Sequence, residues 1–439
     1  VVHGRATCPH CGHEEALIDV AGRTGAPPTW RMVAIESIPA DHGRRVPFDD
    51  RVFSAPTDSD LDRFRRASEE LSEVEHRLPK RLIPAADRSD SRVVKYGYRR
   101  YRDLFNDRQL LHLARTAHAV AKLDEDDRIA AGLALSNHTV SNNMLCGYTP
   151  RWRQVTPLFT VRSFRHTARP VEINPWVDGP GRGTFPNALR RVATAVAFAK
   201  APSEFTPNGY RPVAAVPAGS ARIIHGDSRS LSVLEANSVD LVVTDPPYLD
   251  NIAYSELADF FVPWLAQVGL ASLSDRTTAS TLATNDTDVF SAGLSKCFAE
   301  VVRVLRPGGR VVFTFQHSSP GAWESLGDAL RSARLEVVTV FSMKGDGDRG
   351  LHNFDGSSTW DAVFVLRAGR RRRQGRLTAE HVRAVDHHVA IWRDRLSLTK
   401  ADEAVLRRAT LVSATTGFLA DPKGTTNGGA PLHDLLAAV

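Results

Sequence analysis

Cysteine and long apolar runs are what this chain has least of. Only four of its 439 residues are cysteine, too few for the disulfide framework that staples small secreted domains. No stretch approaches the roughly eighteen uninterrupted apolar residues of a membrane-spanning helix, and no signal-peptide pattern opens the chain. These absences leave the cytoplasm as the default compartment and no membrane as a partner. Nor does a clean cofactor-cradling turn stand out. "DGPGRGTF" (178–185) has an acid and alternate glycines before a helix, but Pro175 interrupts the segment where a central strand would have to run. It reads as an ordinary flexible loop.

What is present fills at least one sizeable core. Hydrophobic residues make up 42% of a chain long enough for two or three domains. The net charge of +6 suits a polyanion, although a solvated basic surface is the commoner explanation. Near the start, "CPHCG" places Cys8 and Cys11 at C-x2-C spacing with a glycine next, the tight turn that aims two thiolates at one metal. Structural zinc takes about four ligands. Cys146 and Cys297 lie far away in apolar contexts and read as buried thiols, while His10 and His13 sit inside or beside the same turn. Either a second knuckle lies upstream of residue 1, or Cys8 and Cys11 bind no metal in this chain.

The patterning divides the chain into four segments: 1–57, a partial zinc ribbon with irregular β structure; 58–210, a helical insertion and linker; 211–369, strand–helix alternation; and 370–439, a basic linker and helical tail. Helices are expected over 58–78, 99–123 and 125–146. "KYGYRRYRDLF" (95–105) is either a phosphate-contacting strip or a helix start with core aromatics, and the six arginines in 367–376 are either a nucleic-acid contact or a solvated linker. From about residue 213, "SARIIHGDS" reads as a strand, "VDLVVTDPPY" as a buried one and "RPGGRVVFTFQ" as a turn plus strand. Helices are read at "SELADFFVPWLAQV", "SAGLSKCFAEVVRVL" and "GAWESLGDALRSA", with "LEVVTVFSMK" and "WDAVFVLRA" as a closing antiparallel pair. Alternation of this kind implies a mostly parallel sheet with helices on both faces, and such sheets bind ligands beyond their carboxyl ends. Asp227, Asp245 and Gln316–His317 are all expected there, lining one crevice.

Asp245-Pro246-Pro247-Tyr248 is the most informative stretch. A plain structural turn needs neither an acid nor an aromatic at a strand end. Two prolines fix φ and remove N–H donors, leaving nearby carbonyls rigid. The Asp245 carboxylate and the Pro246 carbonyl then accept from an exocyclic NH2, exposing its lone pair to a methyl donor, and Tyr248 offers a flat face to an extruded base.

These residues carry a resemblance. "VDLVVTDPPY" resembles motif IV of the amino-methyltransferases that act on N6 of adenine or N4 of cytosine. More narrowly, the chain is similar to the C-terminal portion of zinc-ribbon-containing adenine-specific DNA methylases: "CPHCG", "YRDLFNDRQLLHL", "NMLC", "PVEINPW", "HGDSRSL", "DPPYLDNIAYSELADFF", "LRPGGRVVFTFQH" and "STWDAVFVLR" follow that family's order over most of residues 6–368. The resemblance implies an α/β fold, a Rossmann-like methyltransferase sheet with incomplete first strands, a helical insertion and a partial zinc ribbon. It implies S-adenosylmethionine as cofactor, with structural zinc, and DNA as partner, in a modification or phage-defence system. Asp245, Pro246, Pro247 and Tyr248 would grip the base; Gly226 and Asp227 would approach the adenosyl moiety. The family's Asp-Pro-Phe-x-Gly-Gly-like cofactor loop and first zinc knuckle have no equivalent here. An upstream segment or partner chain is therefore expected to carry them, and this polypeptide alone is expected to have little activity. N4-cytosine or RNA methylation, and a catalytically silent nucleic-acid-binding subunit, remain as alternatives.

Overall fold

A computed structural model describes residues 4–85, 91–160, 164, 166–167, 169–217, 219–249, 254–272, 282, 286–345, 358–369, 376–418 and 430–439. The chain divides into two compact units, Val1–Arg222 with Tyr254–Ser280, and Ile223–Ala253 with Thr281–Val439. The arginine run 370–375 lies outside the described residues.

The first unit is built from helices and short two-stranded hairpins. Its expected helices form as Asp58–Val74, Asp107–Val120 and Glu125–Thr139, each started by a side chain that takes an orphan backbone N–H: Thr57, Asn106 and Asp124. The helix Asp107–Val120 is shorter than its sequence pattern because the residues before it form a separate turn, Tyr101–Leu104. In the basic-aromatic strip Tyr98 and Tyr101 are each 1% exposed, within the core, while Arg99 and Arg100 face out. Helices Tyr254–Ala258 and Val262–Gln267 belong to this unit too, and deliver Phe260 and Trp264 onto Phe105 with ring centroids 5.9 and 5.5 Å away. Buried Asp259 among them pairs with Arg81 at 2.9 Å.

The glycine-rich loop before helix Phe185–Lys200 is tied down by side chains. Asn187 donates to the carbonyls of Gly179 (3.2 Å) and Gly181 (3.0 Å), Asp178 pairs with Arg190, and the Gly183 carbonyl accepts from His138 Nδ1 at 2.6 Å. Gly183 is irreplaceable sterically: its φ is +74°, and an added Cβ would run into the Ser141 side chain. With Nδ1 donating, His138 Nε2 is the acceptor for His112 Nε2–H at 3.1 Å. Burial pushes both imidazoles down, His112 to about 3 and His138 to about 4, so the pair is neutral.

The second unit holds a four-stranded sheet, numbered here β1 (Val239–Thr244), β2 (Leu305–Phe315), β3 (Leu335–Lys344) and β4 (Trp360–Ala368), in spatial order β3-β4-β2-β1. The closing pair forms as expected, antiparallel from Leu335↔Ala368 to Lys344↔Trp360. The sheet is otherwise mixed rather than mostly parallel: β1 and β2 are its one parallel pair among the described residues. The core lies on one face, where Phe313 stacks on Phe364 at 4.9 Å. Helices Thr287–Val304 and Pro320–Ser332 bring Phe298 to Phe313 (5.6 Å) and Trp323 to Phe315 (4.9 Å). Helices Ala379–Leu396, Lys400–Thr416 and Leu432–Ala437 share this same apolar core, so the described part of 376–439 is integral to the unit rather than a tail.

Two sequence expectations fail at the β1 margin. The segment 220–228 forms no strand, and Ile223 is 99% exposed. Instead the following residues are strapped to helix Thr287–Val304, where Glu300 accepts from Leu231 N–H (2.7 Å) and Arg303 donates to the carbonyls of Leu231 (2.8 Å) and Leu234 (3.0 Å). Side chains thus take backbone groups that a ladder would have used. As a result β1 is a sheet edge, not a buried strand: Leu241 is 54% and Val243 71% exposed. Arg310↔Leu241, Val311↔Val242 and Phe313↔Thr244 fix its register on β2. The "RPGG" turn interrupts this ladder because Gly308 sits at φ +84°, and a Cβ on Gly309 would come within 2.9 Å of the Asp240 carbonyl oxygen.

Candidate functional site

β1 and β2 run parallel, so their carboxyl ends lie together, and Asp245 follows β1 where Gln316–His317 follow β2. β2 alternates, with Val311, Phe313 and Phe315 buried and Val312 and Thr314 half-buried on the opposite side. Because Thr244 pairs with Phe313, the next step sets Asp245 beside Thr314. The Thr314 hydroxyl donates to Asp245 Oδ1 at 2.5 Å. Tyr248 completes the corner by donating its hydroxyl to the same oxygen, also at 2.5 Å, and stands 3.4 Å from Thr314 Oγ1.

The prolines hold this corner. Pro246 is buried and Pro247 half-buried, both with φ fixed and no N–H to pair. After Tyr248 the chain turns sharply at Leu249, whose φ of 47° is the left-handed region. A non-glycine residue there costs about 1–2 kcal/mol, and the strain is held because the Leu249 side chain is 6% exposed, within the unit's core. The Tyr248 ring is half-buried and packs edge-on against Phe315 at 5.2 Å and 71°. Burial first, then the Asp245 hydrogen bond, raises its phenol well above the usual range. Asp245 itself is exposed. The sequence reading gave Tyr248 a stacking role; in the structure its hydroxyl is also committed to orienting the acid.

The other candidate residues do not join this corner. Asp227 lies off any strand end, in a fork with Arg229 (Nε to both carboxylate oxygens at 2.9 Å, Nη2 to Oδ2 at 2.6 Å). That arginine holds its carboxyl below the ordinary carboxylate range. Gly226 is exposed, and a Cβ there would meet nothing within 4 Å, so open space surrounds it. The Cys8–Cys11 knuckle is formed: hairpin Arg5–Thr7/Glu14–Ala16 closes it, Cys8 N–H donates to the His13 carbonyl at 2.8 Å, and Gly12 N–H to the Cys8 carbonyl at 3.0 Å. Hydrogen bonds from the turn lower the Cys8 thiol. However, no group of three or more His, Cys, Asp or Glu able to hold a metal occurs among the described residues. Two thiols do not fit the four-ligand requirement of structural zinc. Cys146 and Cys297 are buried, as expected, and burial pushes their thiols up to about 12 and about 11.

Thr314 was missed from the sequence. Its signal is the period-two alternation of "VVFTF", which puts a hydroxyl on the Asp245 side of the strand once the parallel register is known.

No family model matches the chain, and no curated protein matches it. Among solved structures it is similar to a candidate DNA modification methylase of Thermus thermophilus. One form of that protein is 18% identical over 38% of this chain and 72% of that one, with a TM-score of 0.21. Its selenomethionine derivative gives 18% identity and a TM-score of 0.21, over 37% of this chain and 61% of that one. Its complex with S-adenosyl-L-methionine gives 17% and 0.19, over 37% and 61%. Overlap this shallow equates no residue of one chain with a residue of the other. No helix among the described residues is long and apolar enough to cross a membrane.

Proposed function

We propose that this chain is an S-adenosylmethionine-dependent methyltransferase acting on the N6 amine of adenine in DNA. One observation carries the reading: an exposed carboxylate at a strand terminus has one oxygen saturated by two hydroxyl donors, which leaves the other as an acceptor. Such a group suits a neutral amine, which it can hold without becoming its base before transfer. Asp245 Oδ2 and the Pro246 carbonyl accept the two N–H bonds of the amine, turning its lone pair away from the ring. S-adenosylmethionine, when bound, would supply an electrophilic methyl group on sulfur, which the amine nitrogen would take as the carbon–sulfur bond breaks. Asp245 then takes the proton released from nitrogen, and the Tyr248 ring bounds the base on its apolar side.

Gly226 and Asp227 are proposed to approach the adenosyl moiety. Open space at Gly226 fits close approach, whereas ribose hydroxyls would have to displace Arg229 from Asp227. The open edge of β1 supports a further strand from an upstream segment or partner chain that brings the methionine clamp. The arginine fork on Asp227 equally favours a second reading, a silent nucleic-acid-binding subunit. Incubating duplex DNA with tritium-methyl-labelled S-adenosylmethionine and the chain, alone and with such a segment, then digesting to nucleosides, separates these. Label in N6-methyl-2′-deoxyadenosine that disappears with Asp245→Ala supports the proposal. Label in N4-methyl-2′-deoxycytidine reassigns the base, and label unaffected by the substitution supports the silent subunit.

A further inference from the structure

We infer that Thr314 is a positioning residue that commits one oxygen of Asp245 and so leaves the other as the acceptor for the base. The inference rests on the reading of Asp245 as the amine grip. A free aspartate at a strand end rotates about χ1 and χ2 and presents either oxygen. Here two hydroxyls converge on Oδ1, each at 2.5 Å: Tyr248 from the turn and Thr314 from β2. Oδ1 has two lone-pair sites, and both are filled. The Thr314 donor comes from the more rigid origin. It is laddered to β4 through Thr314↔Val363, and the residue before it, Phe313, is laddered to β1 through Thr244, whereas Tyr248 precedes the strained Leu249 turn. Thr314 thus ties the grip to the sheet, while Tyr248 ties it to the loop. A hydroxyl is required because its neighbours by position on β2 are apolar: Val312, Phe313 and Phe315 donate nothing from their side chains.

Valine matches threonine in shape and lacks only the donor, so Thr314→Val separates a positioning role from space-filling. Two measurements on the full chain decide the matter. First, in protein carrying 13C-labelled aspartate, the Asp245 carboxyl resonance, assigned by its loss in Asp245→Ala, should move in Thr314→Val and return in Thr314→Ser. A resonance unmoved in Thr314→Val overturns the inference whether or not the chain methylates DNA. Second, methyl transfer to duplex DNA should fall by about 10–100-fold in kcat for Thr314→Val, with KM for S-adenosylmethionine within about threefold of wild type. Thr314→Ser should restore it, and on an Asp245→Ala background Thr314→Val should cost nothing more. Full activity in Thr314→Val, or a loss that serine does not restore, overturns the inference while the methyltransferase reading stands. If neither wild type nor Asp245→Ala transfers label under any condition, the functional reading fails, and the carboxyl resonance alone judges the hold of Thr314 on Asp245.

Discussion

Two polar clusters, one in each unit, look alike in sequence but differ in what they leave unsatisfied. His112 and His138 sit in the first unit with every strong bond used internally: one imidazole donates to the other, which donates to Gly183. His138 is fully buried, and its bonds hold a glycine-rich loop in place. Asp245, Tyr248 and Thr314 in the second unit also form a closed triangle, yet its acid is exposed and keeps an acceptor in reserve. A cluster that saturates itself is architecture; one that retains valence toward solvent is a place for a substrate. Residue type alone would have ranked the histidines first.

The sharpest way to break this contrast is Asp245→Ala. Methyl transfer should fall by at least about 1000-fold while stability changes by less than about 1 kcal/mol, because the side chain is exposed. Radiolabel incorporation and a urea melt check both halves. His138→Ala should do the reverse, costing about 2–4 kcal/mol by orphaning the Gly183 carbonyl and His112 in a buried site. Hydrogen exchange should then rise across 178–200 while the β2 amides stay protected.

Acidification should strike the histidine cluster as well. Both imidazoles have folded values, about 3 and about 4, below the ordinary histidine range, so the unfolded chain binds protons first. The stability they contribute is intact above about pH 6.5 and drains away as pH falls through about 4 toward about 3, by several kcal/mol for the pair. Denaturant melts across that range should show the slope in wild type and a shallower one in His112→Asn/His138→Asn. Tyr248→Phe is a gentler test, since Thr314 still holds Oδ1: transfer should fall by about tenfold. The smallest effect is expected at the cysteine knuckle. With two thiols for ligands, chelator treatment should move the melting temperature by less than about 1 °C, and a larger shift would restore zinc to this chain.

Much of this was legible in advance. Period and capping residues gave the helices, because Thr57, Asn106 and Asp124 act locally. The acid-proline-proline-tyrosine corner was legible because its chemistry is unusual for a turn. The strand expected at 220–228 was not realised, since apolar residues such as Ile223 form a strand only where a ladder and a cover await them. Thr314 escaped for a related reason: its meaning lies in a register set by Thr244↔Phe313, more than sixty residues apart in the chain. The tie between His138 and Gly183 is likewise long-range.

The position of β1 has a kinetic corollary. Its exposed flank and single neighbour make it the strand whose amides should exchange soonest with deuterium, ahead of β2 and β4. The segment holding Asp245 is therefore the one whose order a bound nucleic acid or neighbouring polypeptide would change most, and slowed exchange at 239–244 would register such a visitor before any product accumulates.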